Sequence, residues 1–239
     1  LTLVVVGDID SETLLSKVKE SVGRIASGDW SRPEIPSLTA KKAAMKGVAK
    51  SLPTNYIMGK FPTPDPGEDD YAALQIATSF LSDRLFEEVR TKRNLSYAVA
   101  SGITARRASA GYLYVSAKQP NKTMQVILDE VDKLKQQPLN EDQLKRTRNV
   151  YITEYYLGME TNASQATKLG QNELVAGDWK RTSTFLNDIK AVTADDVQRV
   201  ARTYIDNYQF GIVGDPGSID RSVFLEDDAS ETTAESSTQ

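Results

Sequence analysis

The chain opens on a mostly apolar run, Leu1-Thr2-Leu3-Val4-Val5-Val6, closed by Gly7-Asp8. A short apolar run ended by a turn signal predicts a buried strand. Asp10 suits an N-cap, and Leu14, Leu15, Val18, Val22 and Ile25 then fall on one helical face. This βα unit is too small to bury its own apolar face. Ser27 to about Ala44 is polar and carries Pro33 and Pro36, which break regular elements and predict a linker.

Strand signals return around Tyr56-Ile57-Met58-Gly59-Lys60-Phe61. Pro62-Thr63-Pro64-Asp65-Pro66-Gly67 is an extended loop. Tyr71, Leu74, Ala77 and Leu81 mark a helix, and Leu85, Phe86 and Val89 continue its stripe. Basic residues Arg90, Lys92 and Arg93 crowd the last turn, where they suit the helix dipole, before a stop at Asn94. Tyr97, Val99 and Ser101 then alternate with Ala98, Ala100 and Gly102, which is strand periodicity. Tyr97–Ile103 and Gly111–Ala117 predict a hairpin with Arg106-Arg107 in its turn.

The second half of the chain reads as mostly helical. One stripe is Met124, Ile127, Leu128, Val131 and Leu134, in a helix opening at Asn121 or Thr123. Asn140 with Gln143 and Thr193 with Asp196 form capping-box patterns. Further helices are expected over Ala163–Val175 and Lys180–Ile189, separated by Gly177-Asp178-Trp179. Phe210-Gly211-Ile212-Val213-Gly214-Asp215 is a last strand, and its Val-Gly-Asp repeats Val6-Gly7-Asp8. Antiparallel hairpin signals followed by consecutive helices predict an α+β fold, a layered antiparallel-rich sheet covered by helices on one face.

Composition excludes several functions. The chain has 239 residues, no Cys and no His. Disulfides and thiolate chemistry are therefore absent, which fits an extracytoplasmic bacterial protein and equally many cytosolic ones. No apolar run reaches the length of a membrane span. The net charge of −4 comes from the C-terminal stretch, where Glu226, Asp227, Asp228, Glu231 and Glu235 stand without a base. Without those five charges the rest carries +1, which gives no electrostatic reason to invoke nucleic acid. There is neither a Gly-rich phosphate loop nor a Ser/His/Asp arrangement.

Read from the residues alone, Arg90 is a solvated base paired with Glu87 or Glu88, and Tyr97 is an amphipathic strand residue. Leu85-Phe86-Glu87-Glu88-Val89-Arg90, six intervening residues and then Tyr97 resemble more than that. They are similar to the second-domain signature of the pitrilysin/insulinase family of zinc metallopeptidases. The resemblance extends along nearly the whole chain. It implies a metalloenzyme (LuxS/insulinase)-like half, in which the other half carries the inverted zinc motif His-x-x-Glu-His. With no histidine, this chain would be the non-catalytic half, with no metal site and no catalytic residue of its own. Glu154 and Glu160 lie where the catalytic half places a zinc-binding Glu, but no histidine is present to share a metal.

The resemblance further implies that Arg90 and Tyr97 bind the peptide substrate and support its transition state, and that zinc sits in the missing half. It implies a clamshell closing over an unfolded peptide. Residues 1–27 become the terminal βα unit of the preceding catalytic half, 28–44 a linker, 45–225 the complete inactive domain, and 226–239 an acidic, disordered tail. The expected partners are the zinc-bearing half, in the same chain or a separate subunit, and a peptide. A homodimer through residues 1–27 is a further expectation. A structural subunit of the same fold, with no proteolytic role, is the alternative.

Overall fold

A computed structural model describes residues 1–225 except positions 32, 34 and 37; the acidic tail expected at 226–239 lies outside the described residues. The fold centres on one five-stranded sheet in the order β1-β5-β2-β4-β3. Its strands are β1 (Ala44–Ala49), β2 (Asn55–Pro62), β3 (Val99–Thr104), β4 (Ala110–Ala117) and β5 (Gln209–Gly214). β1 runs parallel to β5, and every other pairing is antiparallel.

The alternation of side chains decides which face is covered. Ile57, Phe61, Leu113, Val115, Phe210 and Ile212 point to one side and are buried. Helices α2 (Asp70–Leu85), α3 (Pro120–Gln136), α4 (Glu141–Leu157), α6 (Arg181–Ala191) and α7 (Ala194–Tyr204) close that side. The chain is thus α+β, with helices layered on one face of an antiparallel-rich sheet. Each fully buried aliphatic side chain in this layer contributes about 1.5–3 kcal/mol.

Two glycines let aromatic rings lie flat on the sheet. Gly111 pairs directly with Phe61, and a Cβ at Gly111 would overlap the Phe61 ring. Gly59 pairs with Phe210 in the same way. Ring and glycine therefore occupy one another's space across neighbouring strands.

The two capping boxes read in the sequence are present. Asn140 and Gln143 form a reciprocal capping box on α4, and Thr193 and Asp196 form one on α7. Helix α5 (Asn162–Gln171) begins with a third box, Thr161 with Ser164. α3 starts instead at Pro120, which needs no amide hydrogen at that position. A short helix α8 (Arg221–Phe224) follows β5 and buries Phe224 against Phe210.

Three elements differ from expectation. The run Leu1–Val6 forms no strand and pairs with neither edge strand of the sheet, β1 or β3. Leu1, Leu3 and Val5 stay exposed, while Val4 rests near Gly170 of α5. Second, β1 emerges at the end of the stretch read as linker. It is an edge strand with almost no burial, so its hydrophobic pattern carries little signal. Third, Tyr97 precedes β3 rather than opening it. Helix α1 (Ser11–Glu20) forms with Asp10 as its cap, the Thr13 amide donating at 2.9 Å, yet it buries no residue.

Candidate functional site

Helix α2 is buried along most of its length, with Leu74, Ile76, Ala77, Leu81 and Leu85 at 0–1% exposure. Its end widens into a π-helical segment, Phe86–Thr91, an irregularity that often marks functional positions. Asn94 then turns into the left-handed region (φ +50°), which its short amide tolerates. The Asn94 amide donates to the Arg90 carbonyl at 3.1 Å, and Leu95 donates to Val89 at 2.9 Å. These bonds end the helix and turn the chain towards β3.

Ser96 fixes the next step. Its buried hydroxyl donates to the Ser116 carbonyl of β4 at 2.6 Å and accepts from the Ala98 amide at 3.1 Å. The Ala98 carbonyl in turn accepts from the Ser116 amide at 3.1 Å. Residues 96 and 98 are thus pinned, and Tyr97 between them is 80% exposed. Because Ser96 satisfies the Ala98 amide, regular pairing begins only at Val99.

Arg90 and Tyr97 meet at this corner, as their positions on either side of it suggest. The Arg90 guanidinium carbon lies 4.0 Å from the Tyr97 ring centroid and 4.7 Å from that of Phe86. Among the described residues Arg90 forms no ion pair with Glu87 or Glu88, contrary to the solvated-base reading. Its cation is sandwiched between two ring faces, an arrangement worth about 0.5–1 kcal/mol per ring at an exposed site.

The neighbouring charges are occupied elsewhere. Glu88, buried at its carboxylate, takes Arg84 at 3.0 Å, Lys92 at 2.8 Å and Arg93 at 2.5 Å. Lys92 also reaches Glu87 at 3.0 Å. Arg84 extends the network to α3 through two bonds to Glu130, at 3.1 and 2.9 Å, and Lys133 joins Glu130 at 2.6 Å. Hydrogen bonds from Lys92 and Arg93 hold the Glu88 carboxyl well below the usual range, down to about 2. Burial works against that shift and loses, because three cations face one carboxylate. Arg84, Lys92 and Arg93 are thereby paired with acids, whereas half-buried Arg90 has no acidic partner among the described residues. No nucleic-acid patch remains at this corner.

Sequence reasoning missed Phe86 and Glu88. Phe86 reads as part of the buried stripe with Leu85 and Val89, yet it is 47% exposed while they are at 0%. The available signal was its position four residues before Arg90, where side chains on one helical face meet.

No group of three or more His, Cys, Asp or Glu suited to a metal occurs among the described residues. Glu154 and Glu160 are both exposed. Tyr155 donates to the Thr182 carbonyl at 2.7 Å, and Arg107 donates to the Pro33 carbonyl at 2.7 Å. No helix among the described residues is long and apolar enough to cross a membrane.

Comparison with known proteins identifies a family for the chain. A family model described as the peptidase M16 inactive domain matches residues 1–151. The chain is 33% identical over 126 residues to an uncharacterized zinc protease of Streptomyces coelicolor, covering 51% of this chain and 27% of that protein. It is 25% identical over 231 residues to an uncharacterized zinc protease of Mycobacterium bovis, covering 91% of this chain and 52% of that one. The chain thus spans about half the length of the mycobacterial relative, and less of the other. Among solved structures it is similar to a peptidase M16 inactive domain from Pseudomonas fluorescens. There the TM-score is 0.76 at 18% identity, over 87% of this chain and 52% of that one.

Proposed function

The chain belongs to the peptidase M16 inactive domain family, and on that premise we propose that it is the non-catalytic half of a zinc-dependent endopeptidase. The zinc-bearing half would close over it as a clamshell around an unfolded peptide. Zinc held there would supply the activated water. Arg90 would bind peptide carbonyls or a carboxylate through its fixed fork of donors. The Tyr97 phenol would donate to the scissile carbonyl oxygen as charge develops on it. The observation that carries this reading is the corner itself: a guanidinium with no ion pair among the described residues, 4.0 and 4.7 Å from two ring centroids, beside a phenol that is 80% exposed.

Residues 1–27 would complete the preceding catalytic half, residues 28–44 would link the two, and 45–225 would form the inactive domain. Supporting this, α1 buries nothing, and Leu1, Leu15 and Ile25 are 99%, 53% and 65% exposed. In the isolated chain the same face is open to a second copy.

Peptide hydrolysis by the zinc-loaded full-length parent tests the proposal, with this chain alone as the blank. Arg90→Ala and Tyr97→Phe should each lower kcat/KM by about tenfold or more while the protein stays folded. Normal turnover in both variants would remove Arg90 and Tyr97 from the site. A parent that never cuts peptides would favour a purely structural role.

A further inference from the structure

A second polar cluster lies at the other end of α2, where Tyr71 and Gln75 face α4, α5 and α6. Together these helices enclose a cavity of about 50 Å³. Its lining holds two cations, Lys168 and Arg181, and no carboxylate. Arg181 has an ion pair, at 3.2 Å, with the exposed Asp188. Lys168 has none among the described residues, nor a hydrogen bond; its ammonium sits 5.0 Å from the Tyr155 ring centroid.

Two phenols among the lining residues have hydrogens to give. Gln75 gives a hydrogen to the Tyr71 oxygen at 2.8 Å, which leaves the Tyr71 proton available. The Tyr151 hydroxyl has no partner among the described residues, and burial keeps it protonated by pushing its pKa upwards. Burial also lowers the Lys168 pKa, as expected for an ammonium without a counterion. A half-buried ammonium that makes no hydrogen bond is costly, and an anion would offset that cost.

We propose that this cavity is an anion site that takes a carboxylate group. A carboxylate offers about four lone-pair positions to the ammonium and the two phenols. Space of this size admits roughly three or four heavy atoms, which suits an acetate-sized head group. The carboxylate is that of a small free acid or that of a peptide C-terminus. The site is independent of Arg90 and Tyr97, which lie beyond the far end of α2, and it stands whether or not the chain closes over a zinc-bearing half.

Thermal unfolding and calorimetric titration of the 239-residue chain test it, at constant ionic strength in chloride. Acetate, N-acetylglycine and N-acetylglycinamide are the probes. Acetate should raise Tm and bind at concentrations below about 100 mM, the range expected for so few contacts. Lys168→Met should abolish that response while unfolding at or above the wild-type temperature in chloride, and Tyr151→Phe should weaken binding by about tenfold. Tighter binding of N-acetylglycine than of acetate identifies a chain end, and the reverse order identifies a free small acid. Should Lys168→Met fail to fold, the NMR titration of the Lys168 ammonium in the wild type decides, since acetate must raise its pKa. The proposal is overturned if acetate has no effect, if Lys168→Met keeps the response, if the amide binds as well as the acid, or if the Lys168 pKa does not move.

Discussion

Val6-Gly7-Asp8 and Val213-Gly214-Asp215 are 207 positions apart and read alike, each after a run of apolar residues. One is a strand and the other is not. β5 lies between β1 and β2, so both of its edges are paired, and the Asp215 amide donates to the Asn55 side chain at 2.7 Å. Leu1–Val6 joins neither open edge of that sheet, β1 or β3, and its Leu1, Leu3 and Val5 stay exposed. The same local signal gives opposite results because a strand is a property of its neighbours.

Truncation sharpens the contrast most. Ile212→Ala, at 1% exposure, should cost about 2–5 kcal/mol in denaturant unfolding, whereas Val5→Ala, at 45% exposure, should change stability by less than about 0.5 kcal/mol. Equal costs would mean that the first run is packed after all.

A smaller effect is expected at the Arg90 corner, the pinned counterpart of the loose α1. Glu88→Gln should cost about 1–3 kcal/mol at pH 7, because it unties Arg84, Lys92 and Arg93 together. The folded Glu88 pKa lies near 2 against an ordinary 4.5. A lowered folded pKa adds stability that is fully present above pH 4.5 and is lost as pH falls towards 2. Unfolding free energies between pH 6 and pH 2.5 should therefore fall less steeply in Glu88→Gln than in wild type, and parallel curves would refute the assignment.

The smallest effect belongs to Asp10→Ala. A cap on a packed helix is worth about 1 kcal/mol, but α1 buries nothing, so global stability should move by only a few tenths. Amide exchange over residues 11–20 should nevertheless quicken in the variant, which separates local fraying from global unfolding.

What was legible in the sequence was local. The capping boxes at Asn140 and Thr193 need only residues three apart, and both are present. The meeting of Arg90 with Tyr97 followed from the helix-to-strand corner, and the left-handed turn at Asn94 stands where the helix was expected to stop. What was not legible depended on distant partners. β1 has too little burial to show a pattern, and Leu1–Val6 has a pattern but no partner. Phe86 lies off the buried stripe because it follows Ser82 and Asp83 at helical spacing, on the polar face of the helix. Lys168 gave no sign at all, since its surroundings come from four helices brought together by the fold.

The paired rings and glycines of the sheet bear on how the chain finds its register during folding. Sliding β4 by two residues against β2 would keep every apolar side chain on the inner face, so hydrophobicity alone does not forbid it. That slip would set Leu113 or Ser109, according to its direction, in place of Gly111 opposite Phe61, and the ring would meet a side chain where the glycine leaves room. A matching slip of β5 would bring Ile57 or Phe61 against Phe210 instead of Gly59. Near-native mispairings are thus eliminated by collision, and the two glycines act as a proofreading device for assembly of the sheet.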